Sequence, residues 1–348
     1  MTNSSYHSLA LGLATRNSKA DIIEVFYPEP VLHPSAELVD LAATVTSQEN
    51  IARCGVSEIS QEQLRSLAET AATEQTESLI KLAARLLDAG RDAVLCHLPE
   101  DAPPNTVAEA FLKLHLLSHR LVKPHGINLE GIFGVLVNNA WTNVGAIDLR
   151  DLPQRQLQAR LDGTPLSIAS VDKFPKITDY VAPSGVRIAH TARVRLGAYL
   201  GEGTTVMHEG FVNFNAGTEG PAMIEGRISA GVMVGANSDL GGGCSTMGTL
   251  SGGGKEIISV GKNCLIGANA GIGFPLADGC IVEAGLYVTA GTKVNVLDDE
   301  GRQLEAVKAK DVSTTPNRLF RRNSLTGAVE CVPLRSRIEL NEALHSND

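Results

Sequence analysis

The sequence predicts a mainly β protein built around a left-handed parallel β-helix, with an N-terminal α/β domain and a small C-terminal segment. Aliphatic residues recur every six positions in the second half of the chain, and most of the 34 glycines lie in the same stretch. A period of six fits neither a helix of 3.6 residues per turn nor the two-residue alternation of an ordinary strand. It is typical of hexapeptide coils, in which each hexad forms one short strand and a turn.

The repeat consists of four runs of aliphatic residues that share this spacing: Ile188, Val194, Leu200, Val206 and Val212; Ile228, Val234 and Leu240; Val260, Ile266 and Ile272; Val282, Val288 and Val294. The second run is displaced by four residues, which predicts an insertion or a register break between residues 212 and 228. Another short insertion is expected before residue 282. Three hexads form one triangular coil, so residues about 18 apart are expected to stack with their side chains inward.

The rest of the chain gives the other predicted domains. Residues 1–180 form the α/β domain, 181–295 the β-helix, and 296–348 C-terminal strands and a tail that ends in a short helix over IELNEALH.

Three helices are predicted in the N-terminal domain. Ser60 and Gln63 form a capping box before the first, and Thr106 and Glu109 have the same arrangement before the third. The second, ESLIKLAARLLDAG, ends at Gly90. The third, AEAFLKLHLLSHRLV, places its apolar residues on one face at helical spacing, namely Phe111, Leu114, Leu117 and Leu121.

Composition and charge exclude several classes of protein. A formal net charge of −9 argues against a nucleic-acid-binding protein, which needs a basic face to displace phosphate counterions. No stretch approaches the roughly 18 apolar residues of a membrane span. Residues 1–17 lack a charged region followed by an apolar run, so no signal peptide is expected and the cytoplasm is the expected location.

The cysteines form no C-x-x-C pair, which indicates reduced thiols without a disulfide framework or a zinc site: Cys54, Cys96, Cys244, Cys264, Cys280 and Cys331. His190 and His208 are 18 residues apart and could share a face, but the repeats hold no third histidine for a zinc site. SGGGK at 251–255 lacks the first glycine and the Ser/Thr of a phosphate-binding loop, and is interpreted as a covering loop.

The flat faces of a coil stack pack against copies of themselves, so a homotrimer with active sites between subunits is expected. This architecture carries acyl transfer from CoA or carrier thioesters, nucleotide-sugar chemistry and γ-class carbonic anhydrases. The fold alone does not choose among these activities.

Long segments of the sequence narrow the choice: LLSHRLVKPH (116–125), VDKFPKITDYV (171–181), MHEGFVNFNAGTEG (207–220), MIEGRISAG (223–231), DLGGGCSTMGTLSGGG (239–254), GANAGIG (267–273), EAGLYVTAGTKV (283–294) and FRRNS (320–324). Together they closely resemble tetrahydrodipicolinate N-succinyltransferases, in the subgroup with a long N-terminal domain. The resemblance covers nearly the whole chain and is weakest before residue 105.

The resemblance implies a reaction and a pathway. The succinyl group of succinyl-CoA would pass to the amine of L-2-amino-6-oxopimelate, the acceptor derived from tetrahydrodipicolinate. The products would be N-succinyl-2-amino-6-oxopimelate and CoA, in diaminopimelate and lysine biosynthesis.

The resemblance also implies roles for four residues. Glu225 matches the family's catalytic glutamate, either as the base that deprotonates the acceptor amine or as the carrier of an acyl anhydride, and the sequence leaves both open. Arg227 would clamp a substrate carboxylate, and an extended strand would point it to the same side as Glu225. Gly242 and Ser245 would contact the substrate through close backbone approach and hydroxyl donation.

The implied CoA-binding residues are Ala268, Glu283, Ala284, Gly291, Lys308, Arg321, Arg322, Asn323 and Ser324. Small residues would let the pantetheine arm lie along the coil edge, and the cations would meet the phosphates. In some relatives the glutamate equivalent to Glu209 holds magnesium on a threefold axis with an aspartate as second ligand. Ala192 stands at that second position here and cannot ligate, so any magnesium held by Glu209 would be structural.

Alternatives remain open at this point. Another hexapeptide acyltransferase would use acetyl-CoA on an amino sugar or an amino acid. A γ-carbonic-anhydrase-like protein would bind stoichiometric zinc, and a non-catalytic β-helix scaffold would lack affinity for CoA.

Overall fold

A stack of short parallel strands dominates the second half of the chain, as the computed structural model shows for residues 7–46, 55–248 and 257–334. The chain divides into two units. The N-terminal unit comprises Met1–Val122, Gly126–Pro175 and Asp179–Val181; the β-helix unit comprises Lys123–His125, Lys176–Thr178 and Ala182–Asp348. The predicted domain bounds at 180 and 295 stay a prediction.

Two antiparallel sheets form the strands of the N-terminal unit. The first contains β1 Ser8–Arg16, β2 Ile22–Phe26, β3 Val31–Leu32, β4 Gly55–Ile59 and β5 Ala93–Leu98. Its order is β2-β1-β5-β4, with β3 paired to β1. The second contains β6 Asn139–Thr142, β7 Gly145–Asp148 and β8 Ile168–Asp172, in the order β7-β6-β8.

The helices of this unit are α1 Ala36–Thr46, α2 Gln61–Ala68, α3 Glu77–Asp88, α4 Val107–Ser118, α5 Ile132–Val135 and α6 Leu152–Leu161. Helices α1, α2 and α3 each bury one apolar stripe against the first sheet. Leu38, Leu64 and Ala83 share one core cluster with Leu9 and Leu95 of the strands. The sheet and these helices therefore form an α/β layer, as predicted.

The predicted caps are observed at α2 and in part at α4. Ser60 Oγ accepts from the Gln63 N–H at 3.2 Å, and Gln63 Oε1 accepts from the Ser60 N–H at 2.8 Å. At α4, Thr106 Oγ1 accepts from the Glu109 N–H at 3.2 Å. The Glu109 carboxylate, however, accepts from the N–H of Asn105, one residue before the predicted donor.

Helix α4 differs from its prediction in extent and in environment. It ends at Ser118, because Arg120 adopts a left-handed φ of +62°, so the predicted Leu121 lies beyond it. The one-faced apolar pattern is wrong, since every residue from Ala108 to Ser118 is buried. The helix packs against β2, β4, β5 and α5, which leaves no solvent-facing side. The buried Lys113 ammonium is paired with the carboxylate of Asp101 at 2.5 Å.

The strands of the β-helix unit are, in chain order, β9 Arg187–Ile188, β10 Ala198–Leu200, β11 Thr204–Val206, β12 Phe211–Val212, β13 Ala216–Thr218, β14 Ala222–Ile224, β15 Arg227–Ile228, β16 Met233–Val234, β17 Ser238–Leu240, β18 Ser245–Thr246, β19 Ser259–Val260, β20 Leu265–Ile266, β21 Gly271–Gly273, β22 Ile281–Val282, β23 Tyr287–Thr289, β24 Lys293–Leu297, β25 Gln303–Lys308, β26 Arg318–Arg322 and β27 Val329–Pro333.

These strands form a three-sided prism. Face A contains β9, β11, β14, β17, β20, β22 and β26; face B contains β12, β15, β18, β21 and β23; face C contains β10, β13, β16 and β19. Neighbouring coils pair in parallel on every face. Strands β24, β25 and β27 continue the sheet of face A beyond β26, with β24–β25 and β26–β27 antiparallel. The predicted left-handed β-helix with C-terminal strands is confirmed.

The repeat positions fill the interior of the prism. From Val194 to Val294 they are all buried, namely Val194, Leu200, Val206, Val212, Ile228, Val234, Leu240, Val260, Ile266, Ile272, Val282, Val288 and Val294. Ile188, in the first coil, is half-buried.

The predicted register break between residues 212 and 228 is confirmed and is a deletion, and a deletion also stands before residue 282, where an insertion was predicted. Thr218 and Ile224 continue the first run inward, and the next step, from Ile224 to Ile228, covers four positions instead of six. The step from Ile272 to Leu276 is shortened in the same way, and Leu276 bridges to face C. Two coils are therefore tighter at one corner than the regular repeat.

Several predictions concern residues that lie outside the described part of the chain. They are the SGGGK loop at 251–255, the helix at 338–345 and Cys54. The other cysteines are buried free thiols, as predicted. Within the described residues, no helix combines the length and the apolar character needed to cross a bilayer.

The interior positions should carry much of the stability. Leu240→Ala removes a side chain that is 0 % exposed and should lower the free energy of unfolding by about 2–5 kcal/mol. Leu304→Ala is the matched control, because Leu304 is 66 % exposed, and it should change the value by less than about 0.5 kcal/mol. Urea unfolding followed by circular dichroism measures both. Equal effects would contradict the inward placement.

A buried histidine of α4 should make stability depend on pH. His115 Nδ1 donates to Phe111 O at 2.7 Å and Nε2 accepts from the Tyr27 N–H at 3.2 Å, which fixes the neutral tautomer. Burial lowers the pKa of His115 to about 3, from 6.5. The unfolded chain therefore binds the extra proton between these values, and stability falls as the pH decreases from 6.5 towards 3.

In His115→Gln the unfolded chain no longer binds this extra proton, because glutamine does not titrate. The slope of unfolding free energy against pH should then be shallower than in the wild type by up to about 1.4 kcal/mol per pH unit within that window. Burial also lowers the pKa of His7 and the pKa of His119. The informative quantity is therefore the difference in slope between the wild type and His115→Gln. Parallel slopes would show that His115 titrates normally.

Candidate active site

The turns that lead from face A to face B stack on one another and form one edge of the prism, here called the A–B edge. They span residues 207–210, 225–226, 241–244, 267–270 and 283–286. Backbone hydrogen bonds join them: the Glu225 N–H donates to Leu240 O, and the Gly241 N–H to Ile266 O, both at 2.8 Å. Residues from distant hexads therefore lie side by side at about the 4.8 Å spacing of strands in a sheet.

The turn that carries Glu225 is the shortened one. It contains only Glu225 and Gly226 between the strands, whereas the preceding turn runs from Met207 to Gly210. A Cβ on Gly226 would lie 2.2 Å from Cys244 Sγ and 2.7 Å from Cys244 O. Any side chain there would displace the neighbouring coil, so the short turn requires glycine. The register break in the sequence thus marks the turn of the predicted catalytic residue.

The Glu225 side chain is half-buried and lies against the backbone of the next turn. A Cβ on Gly242 would be 3.5 Å from Glu225 Oε2. The N–H of Gly243, at a φ of +70°, faces Glu225 O at 3.4 Å. The backbone of the next turn at Gly242 therefore lies within contact distance of one carboxylate oxygen of Glu225.

Arg227 is the neighbour of Glu225 on face B. It begins β15, its side chain is exposed, and its Nη2 donates to Ser245 Oγ at 2.8 Å. Ser245 is its register partner in β18. Glu225 lies in the bend before β15, so the predicted strand alternation does not explain their proximity; the short turn does. The structure brings Glu225, Arg227, Gly242 and Ser245 into two successive coils.

A thiol lies close to these groups but is not poised to react. Cys244 is buried directly beside Gly226. Burial, and secondarily the carboxylate of Asp239, raises the pKa of Cys244 to about 12. Because the thiolate is the nucleophilic form, this cysteine is a packing residue and not an acyl carrier.

Further along the A–B edge, small residues expose backbone donors. Among the described residues, the N–H groups of Gly242, Ala268 and Ala284 donate to no protein acceptor. Their carbonyls continue the ladder: the Asn269 N–H donates to Gly242 O at 2.9 Å, and the Gly285 N–H to Ala268 O at 2.8 Å. The edge therefore presents a row of free donors to an extended ligand.

The end of this edge is basic. At the end of β26, the Arg322 N–H donates to Glu283 Oε2 at 2.7 Å. Arg321 Nε and Asn323 Nδ2 both donate to the Glu330 carboxylate, at 2.9 and 2.7 Å. These bonds, that from Asn323 first, lower the pKa of Glu330. The Arg321 side chain is thereby held at the exposed end, and the Arg322 side chain donates to Gly327 O at 3.1 Å.

Comparisons with known proteins agree on one family. Residues 60–134 match the description "Tetrahydrodipicolinate N-succinyltransferase N-terminal", 136–176 match "Tetrahydrodipicolinate N-succinyltransferase middle", and 257–290 match "Hexapeptide repeat of succinyl-transferase". The chain is 59 % identical over 346 residues to a protein of Pseudomonas aeruginosa, covering 99 % of both. It is 55 % identical over 343 residues to one of Vibrio cholerae, again covering 99 % of both. Both are named 2,3,4,5-tetrahydropyridine-2,6-dicarboxylate N-succinyltransferase.

The chain belongs to the tetrahydrodipicolinate N-succinyltransferase family. A crystal structure from Campylobacter jejuni described as a 2,3,4,5-tetrahydropyridine-2-carboxylate N-succinyltransferase superposes with a TM-score of 0.87 at 31 % identity. The superposition covers 97 % of this chain and 96 % of the Campylobacter jejuni chain. The predicted hexapeptide-repeat acyltransferase is confirmed.

Two of the residues that the family resemblance assigns to CoA binding do not lie on the A–B edge. Gly291 is in the turn after β23, and Lys308 ends β25 opposite Lys293. The Ala309 N–H donates to Thr292 O at 2.8 Å, which ties these segments together. They lie on the edge that follows face B, whereas Ala268 and Ala284 lie on the edge that precedes it. Face B therefore separates two groups that the sequence analysis treated as one.

Glu209 is poorly suited to hold a metal in this family member. Its Oε2 is 2.7 Å from Arg193 Nη2 and its Oε1 is 3.0 Å from His208 Nδ1. His208 and then Arg193 lower the pKa of this carboxyl. Ala192 supplies no ligand atom, and the described residues contain no group of three or more acidic, histidine or cysteine side chains arranged for a metal. These residues do not fit a magnesium site.

Two aromatic residues of face B were not among the site residues predicted from the sequence. Phe211 and Tyr287 occupy the same outward position as Arg227, each one residue before an inward aliphatic side chain. The guanidinium of Arg195 lies over the Phe211 ring at 5.9 Å. This position in the hexad was the signal that could have identified them.

A cavity of about 620 Å³ lies in the N-terminal unit, between the end of β1 and the start of α6, and contains none of the predicted site residues. Its carboxylates are already bonded within the unit. Asp148 accepts from Arg150 and Asn17, chiefly the former, which holds its pKa well below the usual range. Asp151 accepts from the N–H and hydroxyl of Ser18. These groups stabilise the packing of this unit.

Proposed function

We propose that this protein transfers the succinyl group of succinyl-CoA to the amine of L-2-amino-6-oxopimelate, giving N-succinyl-2-amino-6-oxopimelate and CoA in diaminopimelate and lysine biosynthesis. The names of its relatives support the substrate class. The observation that carries the proposal is the juxtaposition of Glu225 with Arg227 in the shortened turn, at the start of a row of free backbone donors.

Glu225 acts as the general base in this proposal. Its carboxylate takes a proton from the acceptor's ammonium, and the neutral amine attacks the thioester carbonyl. The C–N bond forms and the C–S bond breaks, and the nitrogen gives up its second proton, which the leaving thiolate of CoA takes up. The position of Glu225 supports this role, because its carboxylate is half-buried beside Gly242 and the amine can approach it along the edge.

Arg227 and Gly242 bind the charges that the reaction presents. Arg227 keeps further donors free beside its bond to Ser245, and a guanidinium matches a carboxylate with two parallel hydrogen bonds. The unpaired N–H of Gly242 is suited to stabilise the oxyanion that develops on the thioester carbonyl. Both groups are fixed before substrate arrives, so little reorganisation is required.

The acyl donor follows the A–B edge. From Glu225 to Arg321 the edge spans four coil steps, or about 19 Å at the spacing of paired strands. The free N–H groups of Ala268 and Ala284 are suited to the pantetheine amides. Glu283, Asn323 and Ser324 line the far end, where Arg321 and Arg322 meet the phosphates. Gly291 and Lys308 contact the donor from the far side of face B.

We also propose a homotrimer located in the cytoplasm. Exposed flat faces of the prism support assembly through copies of the same surface. The reaction as proposed needs no metal, and no step passes through Glu209.

Glu225→Gln should lower kcat by about 10²–10⁴-fold, because the amide cannot accept the amine proton. Glu202→Gln is the matched control, since Glu202 is an exposed turn glutamate on a different edge, and it should leave kcat unchanged. Thiol release with succinyl-CoA and tetrahydrodipicolinate measures both. Light scattering should give the mass of a trimer for every variant.

Full activity of Glu225→Gln would remove this residue from the mechanism. Acid-quenched mass spectrometry of the wild type adds a second readout, since a succinyl group found on Glu225 would replace the base role with a covalent one. Replacing succinyl-CoA by acetyl-CoA should slow thiol release, and a faster reaction would overturn the proposed substrate.

A further inference from the structure

We propose that Tyr287 and Met247 form a flat, partly apolar floor on face B, beside the A–B edge, against which the pantetheine arm of the acyl donor packs. The inference rests on the proposed function for the identity of the donor. It assigns a binding role to two side chains outside the implied catalytic and CoA-binding residues.

The floor spans two neighbouring outward columns of face B, and Tyr287 belongs to the same column as Arg227. Phe211 pairs with Arg227, Arg227 with Ser245, Ser245 with Gly271, and Gly271 with Tyr287. Side chains at equivalent positions of paired strands lie on the same side of the sheet. Arg227 and Tyr287 therefore point away from the core on the same face, separated by the coils of Ser245 and Gly271.

Glycines in β21 let two larger side chains lie flat on the sheet. A Cβ on Gly271 would be 2.2–2.6 Å from three carbon atoms of the Tyr287 ring, so the ring covers the space above this glycine. A Cβ on Gly273 would be 2.5 Å from Met247 Sδ, so the thioether covers the second glycine. The Tyr287 ring extends over β21 from β23, in the next coil, and the Met247 thioether extends over β21 from the end of β18, in the preceding coil.

The covered surface is not sealed from solvent. Tyr287 is 45 % exposed, and its hydroxyl has no hydrogen-bond partner among the described residues. The Met247 side chain is half-buried. A flat aromatic face with a free hydroxyl at its rim suits a ligand with methylene and amide groups, because it offers apolar contact and one donor.

The position of β23 relates this floor to the donor. β23 runs from the turn that contains Ala284 to the turn that contains Gly291. Because Tyr287 is the first residue of β23, directly after the Ala284 turn, its outward ring stands beside the A–B edge that the donor follows. The ring, leaning onto Gly271, is about two strand spacings from Arg227, or about 10 Å. That separation places the floor behind the thioester and under the pantetheine arm.

Tyr287→Ala tests the floor. It should raise the Kd for CoA and the KM for succinyl-CoA about tenfold, as expected for the loss of one aromatic contact, with little change in kcat or in the KM for the acceptor. Tyr287→Phe keeps the ring and should stay within a few-fold of the wild type. Tyr199→Ala is the matched control, since Tyr199 stands opposite Gly217 in the same register on face C.

Gly271→Ala provides a second, independent variant. The new methyl group occupies the space of the Tyr287 ring and should displace it, raising the Kd for CoA by a similar factor. In the double variant with Tyr287→Ala the loss should not add, because the ring is already gone. Thermal unfolding checks that each variant is folded.

Calorimetric titration with CoA separates the outcomes. If the wild type does not bind CoA, the proposed function fails and the floor fails with it. If the wild type binds CoA and Tyr287→Ala binds it equally well, the floor is wrong while the proposed function stands. Additive losses in the double variant would also overturn it, since they would mean that Gly271 acts without the ring.

Discussion

Hydrogen bonding between one coil and the next is the constraint on which the rest of the β-helix unit depends. Each strand of two or three residues is too short to be stable alone and is held by parallel neighbours above and below it. The coils approach so closely that glycine is required at several contacts. A Cβ on Gly217, for example, would lie 1.7 Å from Tyr199 O. The aliphatic interior and the glycines are two consequences of the same stacking.

This constraint also determines where chemistry can be placed. The inward positions are occupied by the core, so reactive side chains can only stand on turns or outward strand positions. Removing two residues from one turn brings Glu225 next to Arg227 and against the bare backbone of Gly242. The neighbouring coils then extend the site, since the same turn in each coil supplies one more unpaired N–H. The site is therefore assembled from separate hexads by translation along the prism.

Burial explains which nearby groups stay unreactive. Cys244 is buried beside Gly226, the residue after Glu225, and its pKa is raised to about 12 because a thiolate would lose its hydration there. In the N-terminal unit, His115 stays neutral for the same reason, and its two hydrogen bonds fit only the neutral ring. Lys113 is buried with its charge because Asp101 supplies a partner.

Much of the fold could be predicted from the sequence, because hexads with an inward aliphatic residue leave few alternative structures. Whether each phase break was a deletion or an insertion could not be predicted, since a deletion of two residues and an insertion of four displace the repeat equally. Thr218 is a polar residue inside the prism, so the sequence did not show that the first run continues through it. Burial of all of α4 depends on partners from β2, β4, β5 and α5 that no local pattern reveals.

The candidate site was predictable in part and for a different reason. Glu225, Arg227, Gly242 and Ser245 were selected together by resemblance, and the structure makes them neighbours through the short turn. The separation of Gly291 and Lys308 from the other implied CoA residues required the three-dimensional turn order. Tyr287 was missed because its role as a surface over Gly271 depends on two strands 16 residues apart.

A crystal structure of the protein with CoA bound tests the central claim most directly. The account predicts that the thiol lies near Glu225 and Gly242, and that the pantetheine arm follows the turns of Ala268 and Ala284 towards Arg322. Electron density for CoA on an edge that lacks these turns, with the A–B edge empty, would contradict it.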